Sequence, residues 1–252
     1  RLVSASVPSR SKITLRIGLS FCYSRCNEAK GLVNPENLAL CIAPDRRCGK
    51  KRFEALMSIA LVILAAGQGT RMNSDLPKVL HPLGGAPLVV HALKSGAALA
   101  PERTVVVTGH GGVAVAKAAR GWDPDILIAD QAEQLGTAHA VAQAKAALEG
   151  FSGDIVVLYG DTPFISGETL EALAAARAAH DVVVLGFEAA DPGRYGRLVT
   201  TGDRLERIVE FKDASEAERA ITLCNSGVLT ADAATLISLI EAVGNANASG
   251  EY

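Results

Sequence analysis

Over residues 57–252 the sequence predicts an α/β domain, doubly wound around a mostly parallel sheet. Two observations predict it. Short, near-continuous Val/Ile/Leu runs alternate with alanine-rich segments of helical length, the pattern of strands buried on both faces and joined by crossover helices. The first run also leads without a break into a glycine-rich loop, and folds of this kind bind ligands at the carboxyl ends of their strands.

Ile59–Leu64 is a strand by its length, far shorter than a membrane span. Leu88–Ala98 follows as a helix, then Thr104–Thr108 as a strand and Val113–Ala119 as a helix. Between the last two, Gly109-His-Gly-Gly112 reads as a turn rather than as a setting for a base at His110. Asp125–Ile128 is the third strand and Thr137–Leu148 the helix after it. Ile155–Leu158, Glu168–Ala179 and Asp181–Phe187 continue the alternation. Beyond Phe187 the pattern changes. Arg197–Thr200 and Leu205–Glu210, joined by Gly202-Asp203, predict a β-hairpin that flanks or covers the site. Leu236, Leu239, Ile240 and Val243 recur at helical spacing and are expected in the core.

The chemistry starts at Leu64-Ala-Ala-Gly-Gln-Gly-Thr-Arg71, with Pro77-Lys78 beyond it. Gly67 and Gly69 let the backbone turn sharply and approach a ligand closely, so their N–H groups can line an anion nest. Arg71 offers a planar fork to phosphate oxygens and Lys78 a point charge. No Gly-Lys-Ser/Thr follows, which excludes a Walker A loop, and the third glycine of a dinucleotide fingerprint is missing. Tyr159-Gly-Asp161 closes the fourth strand. Asp161 either caps the next turn with Thr162 and Pro163 or holds Mg²⁺; the glycine loop favours the metal. Gln131 carries an amide that donates and accepts, as recognition of a base edge requires, and it also reads as an ordinary loop residue. Gly136 allows close approach, while Thr137 equally suits an N-cap. Glu133 reads as a favourable charge near a helix N-terminus. The five histidines form no metal-binding spacing, and no nucleophile is assigned.

Composition narrows the classes. The chain has 252 residues, 49% hydrophobic and 21% charged, as a globular protein does. Residues 1–56 carry 11 Lys+Arg against 4 Asp+Glu, whereas the remainder carries 14 against 23. An acidic body with isolated cations in glycine loops suits a small anion, not a nucleic acid. Four of the five cysteines also lie in residues 1–56, at spacings that match no zinc pattern. Cys224 alone in the body argues against a disulfide scaffold and is compatible with a reducing cytoplasm. The start of the chain, with arginines and serines, can be read as a targeting peptide. The reading adopted is a disordered extension or gene-start artefact, with Met57 as the natural start and residues 57–252 as the domain.

Five further segments follow in order: Gln131-Ala-Glu-Gln-Leu-Gly-Thr137, Leu158-Tyr-Gly-Asp-Thr-Pro163, Tyr195-Gly-Arg197, Ile208-Val-Glu-Phe-Lys-Asp213 and Asn225-Ser-Gly227. With the glycine loop they resemble the sugar-phosphate nucleotidyltransferases, in particular the uridyltransferase half of the bifunctional bacterial N-acetylglucosamine-1-phosphate uridyltransferase/glucosamine-1-phosphate acetyltransferases. The resemblance covers residues 57–252. It implies a Rossmann-like nucleotidyltransferase (glycosyltransferase A-like) fold that transfers UMP from UTP to N-acetylglucosamine 1-phosphate. It implies that Leu64, Ala65, Ala66, Gly67 and Gly69 cradle the nucleotide, with Arg71 and Lys78 as catalytic cations. Gln131, Gly136 and Thr137 are implied at the uracil, Tyr159, Gly160 and Asp161 at the nucleotide, and Asp161 as a ligand of Mg²⁺. Gly196, Glu210 and Asn225 are implied at the sugar and its N-acetyl group. The expected setting is the cytoplasm, without nucleic-acid or membrane partners. In the family a second metal ligand, an asparagine, and a trimer-forming acetyltransferase domain lie beyond the position of Tyr252. Weak nucleotide binding and little turnover are therefore expected of residues 57–252 themselves. Two alternatives stay open: a related nucleotidyltransferase with another base or sugar, and a non-catalytic nucleotide-sugar binder.

Overall fold

Among the described residues nine strands pair in one sheet, and its central strands are apolar runs buried on both faces. The computed structural model describes residues 2–3, 58–67, 69, 72, 74–202 and 204–243. The chain divides into two units, residues 1–17 with 58–252, and residues 18–57; the second lies outside the described residues. The strands are β1 (Leu2–Val3), β2 (Ile59–Ala65), β3 (Pro82–Leu83), β4 (Ala86–Pro87), β5 (Arg103–Thr108), β6 (Leu127–Asp130), β7 (Asp154–Tyr159), β8 (Val182–Glu188), β9 (Arg197–Thr201), β10 (Arg204–Val209) and β11 (Leu223–Asp232). The helices are α1 (Leu88–Gly96), α2 (Gly112–Trp122), α3 (Thr137–Gln143), α4 (Gly167–Arg177), α5 (Glu216–Arg219) and α6 (Ala233–Ala242).

The main path through the sheet runs β1-β8-β11-β7-β2-β5-β6, with the β9–β10 hairpin attached to β11, while β3 and β4 form a separate ribbon. β7, β2, β5 and β6 are mutually parallel, and β11 is antiparallel to both β7 and β8. Period-two alternation sorts β2 between two cores. Leu61 and Ile63 meet Val89 and Leu93 of α1, Val115 of α2 and Leu173 of α4 on one side. Val62 and Leu64 meet Val141 of α3 and Leu236 of α6 on the other. Full burial of each such side chain contributes about 1.5–3 kcal/mol.

The parallel half agrees with the sequence reading to within a residue or two, save that α2 runs three residues past the expected Ala119 to Trp122, and the predicted hairpin is present as β9–β10. Four other details differ. α3 ends at Gln143, and a 3₁₀ turn at Ala146–Leu148 completes the predicted helix. In α6 only part of the apolar spacing is core: Leu236 is buried, but Leu239 is 47% and Val243 40% exposed. Leu239 lies on the opposite side of Leu236 from Ile240 around the helix, and Val243 follows the last turn in an extended conformation. The third difference is β11, which the sequence does not announce as a strand. The fourth is that not every motif lies at the end of a parallel strand, since Gly196 and Glu210 flank the antiparallel hairpin and Asn225 lies within β11.

Gly96 shows how closely α1 is seated. A Cβ there would lie 2.3 Å from Leu61 Cδ2. Gly96→Ala is therefore expected to lower stability by about 1–3 kcal/mol, although alanine is otherwise the better helix former. Urea unfolding checks this; an unchanged midpoint would mean that Leu61 rotates away without cost.

Candidate active site

The parallel partners Leu64 and Tyr159 end β2 and β7 side by side. From there the chain continues to β5 on one side of the pair and toward β8 and β11 on the other. Such a reversal opens a crevice at the carboxyl edge of the sheet. A cavity of about 470 Å³ occupies it, lined by Leu64, Ala66, Gly67, Gly69, Met72, Lys78, Val79, Gln131, Gln134, Gly136, Thr137, Ala140, Tyr159 and Asp161. Ala65 and Gly160 lie just behind this wall. Gly160 N–H donates to Leu64 O at 2.9 Å, tying the two strand exits together. Arg71 lies outside the described residues.

The glycine loop is shaped around Lys78. Gly69 has φ +65°, and a Cβ there would come within 2.6 Å of Lys78 Cβ. Pro77 and the 3₁₀ turn Lys78–Leu80 then direct the lysine across the crevice. Its Nζ donates to Asp161 Oδ2 at 2.7 Å, both side chains being part-exposed. The competing reading of Asp161 as a turn cap does not describe this geometry. Thr162 closes the turn instead, through its N–H and its hydroxyl on Tyr159 O.

The opposite wall is built by the segment after β6. Gln131 is buried, and its Nε2 donates to Gly136 O at 3.2 Å and faces His139 Nδ1 at 3.0 Å. Gly136, not Thr137, is the N-cap of α3, with φ 112°, and Thr137 is the first helical residue. Thr137 uses its hydroxyl to accept from Tyr159 O–H at 3.4 Å. Burial pushes the Tyr159 phenol up, the bond to Thr137 opposes this, and the charges of Asp161 and Glu210 reinforce it. Tyr159 therefore stays a neutral donor. Gln134, which sequence reasoning did not single out, lines the cavity and donates from Nε2 to Ala66 O at 2.7 Å. Its signal was only its place within the Gln131–Thr137 segment. Met72, Val79 and Ala140 were also missed, because apolar wall residues carry no chemical signature.

Gly196, Glu210 and Asn225 do not line the cavity, but they form one cluster beside it. Asn225 N–H donates to Gly196 O at 2.8 Å, and a Cβ on Gly196 would stand 2.7 Å from Glu210 Oε1. Asn225 Oδ1 accepts from Gly227 N–H at 2.9 Å. Gly227, with φ +82°, lies under Tyr159 so closely that a Cβ would come within 2.3 Å of its ring. Tyr159 is thus the partition between cavity and cluster.

Arg197 holds the cluster in place. It is 1% exposed, and its guanidinium donates to the backbone oxygens of Pro192, Gly193, Tyr195 and Arg219. Arg197→Lys keeps the charge but has three donors in place of five. Each carbonyl left unsatisfied in the interior costs about 1–3 kcal/mol. A clear fall in melting temperature is expected for Arg197→Lys, and a wild-type melting curve would show that the carbonyls find other donors.

The chain itself matches a known family. The family described as MobA-like NTP transferase domain matches residues 61–224. The chain is 67% identical over 196 residues to the bifunctional protein GlmU of Ruegeria pomeroyi, covering 78% of this chain and 44% of that protein. It is 66% identical over 195 residues to the protein of the same name from Cereibacter sphaeroides, covering 77% and 43%. The chain therefore spans less than half the length of these relatives. Among solved structures, a UDP-glucose pyrophosphorylase in complex with UDP-glucose superposes with a TM-score of 0.63 at 18% identity, covering 77% of this chain and 83% of that one. That likeness concerns the fold alone. On the match across its whole glycine-loop half and into β11, the chain belongs to the MobA-like NTP transferase domain family.

Proposed function

We propose that the chain carries the uridyltransferase site for transfer of UMP from UTP to N-acetylglucosamine 1-phosphate, releasing pyrophosphate. One observation carries this reading: Lys78 and Asp161 meet beneath the glycine loop, in the crevice between β2 and β7. Relatives named GlmU at 66–67% identity support it.

On this reading the uracil lies toward Gln131, Gly136 and Thr137, and the phosphates lie over Gly67 and Gly69 beside Lys78. Arg71 remains assigned to the phosphates through the family resemblance. Leu64, Ala65 and Ala66 form the floor with Gly160. Gly196, Glu210 and Asn225 take the sugar on the far side of Tyr159. An acceptor phosphate oxygen then attacks the α-phosphorus of UTP, and the bond to pyrophosphate breaks. The nucleophile is already ionised, so no general base is required. What the chain must do is align two anions and offset the charge growing on the leaving group. Lys78 is placed for the second task.

Asp161 is the residue that would hold Mg²⁺. Among the described residues no group of three or more His, Cys, Asp or Glu forms a dedicated metal cage. A single carboxylate at a phosphate cradle fits magnesium, which takes one or two carboxylates together with substrate phosphates. Bound there, the ion would supply charge neutralisation and a template for the phosphates.

Pyrophosphate release from UTP with N-acetylglucosamine 1-phosphate tests the proposal, measured in a longer protein that carries this domain together with the second metal ligand implied by the resemblance. Binding of a UDP-sugar without any release would instead support a non-catalytic binder, and faster turnover of CTP or dTTP another base. Asp161→Asn is expected to reduce the rate by about a hundred- to a thousandfold, measured across a magnesium titration. An unchanged rate and magnesium dependence would remove Asp161 from the site. Lys78→Ala should weaken UTP binding by about 1.5–3 kcal/mol, the worth of a hydrogen bond to a charged group, and leave uridine binding unchanged. Equal losses for uridine, UMP and UTP in calorimetry would assign Lys78 to loop support.

A further inference from the structure

His139 lies behind the cavity wall, between two carboxamides. Its Nδ1 is 3.0 Å from Gln131 Nε2, and its Nε2 is 3.1 Å from Gln143 Nε2. Each amide nitrogen has a second anchor: Gln131 donates to Gly136 O at 3.2 Å, and Gln143 to His139 O at 3.1 Å. A neutral imidazole has one N–H and one lone pair, so only one ring nitrogen can accept from an N–H₂ group. The other must face an amide oxygen. Two arrangements satisfy the ring, and they differ in which glutamine is turned over; the exchange of oxygen and nitrogen needs almost no space.

In the first arrangement Nδ1 accepts from Gln131, Nε2–H donates to Gln143 Oε1, and Gln131 Oε1 is left for the cavity. In the second, Nδ1–H donates to Gln131 Oε1, and the Gln131 N–H₂ group faces the cavity. Each gives up one anchor. Turning Gln143 over loses a bond on a half-buried helix face, where water can replace it. Turning Gln131 over leaves Gly136 O bonded to Ala140 N–H at 3.1 Å, but sets Gln131 Oε1 against that carbonyl with no donor between them, in a side chain only 4% exposed, where a lost partner costs about 1–3 kcal/mol. The first arrangement is the more stable one.

We infer that His139 is a positioning residue that fixes Gln131 as a hydrogen-bond acceptor toward the nucleobase, and so sets the preference for uracil over cytosine. The inference rests on the proposed placement of the uracil at Gln131. An acceptor there is matched by the N3–H of uracil and opposed by the lone pair on N3 of cytosine. His139 touches no substrate and acts only through Gln131.

Calorimetry with UTP and CTP on the present chain tests this, together with ¹⁵N NMR of the imidazole. The unsubstituted chain is expected to bind UTP more tightly than CTP and to hold His139 as the Nε2–H tautomer. His139→Phe keeps a ring but removes both nitrogens, and should shrink the UTP/CTP affinity ratio by about tenfold, or about 1.4 kcal/mol. In a Gln131→Ala background the same substitution should change the ratio no further. An unchanged ratio in folded His139→Phe, or a further change of the ratio in the double variant, would overturn the inference. An Nδ1–H tautomer would overturn it without any variant. Failure of the unsubstituted chain to bind UTP would remove the uridine site itself, and the inference with it.

Discussion

The parallel pairing of β2 with β7 is the constraint on which the rest depends. It brings two strand ends together whose continuing chains leave in opposite directions, and the sheet cannot fill the space between them. The register Leu64 to Tyr159 then places the glycine loop opposite Asp161. Everything chemical follows from that alignment. A slip of one residue would send each side chain of β2 to the other core, and both faces of this strand are closed.

The Lys78–Asp161 pair is the electrostatic centre of the crevice, with side chains 42% and 28% exposed. Ion pairs exposed to that degree contribute only about 0–1 kcal/mol. So weak a pair does little for the fold, and it rearranges readily. On the proposed reading the nucleotide and its metal separate the partners, the lysine passing to the phosphates and the carboxylate to the cation. Arg197 presents the opposite case. Its guanidinium is sealed among backbone oxygens, an arrangement that is costly to disturb and holds the walls of the neighbouring cluster.

The parallel half of the fold was legible because β2, β5 and β7 are continuous apolar runs, for which burial on both faces leaves few alternatives. β11 was not. Its sequence carries Asn225-Ser-Gly227 in mid-strand, which reads as a turn, and the structure does show a register shift between Asn225 and Leu229. That irregularity is what lets Gly227 pass beneath Tyr159. The strand was hidden by the same residues that seat Tyr159. Lys78, Asp161 and Gln131 stood out in the sequence as candidates, Asp161 and Gln131 as a charge and an amide just past a strand and Lys78 as a cation after the glycine loop, although Asp161 also read as a turn cap and Gln131 as a loop residue. Their mutual contacts were not, because Lys78 and Asp161 are far apart in sequence and only the β2–β7 register joins them. The role of Thr137 was half legible: a helix start was expected, but its bond to Tyr159 depends on the fold.

A crystal structure of the chain with UTP and Mg²⁺ tests the central claim most directly. The account predicts uracil against Gln131 and Thr137, phosphates over Gly67 and Gly69, and Lys78 drawn from Asp161 onto the phosphates. A nucleotide bound outside the β2–β7 crevice, or one lying in it with the base at the Lys78 end, would contradict it.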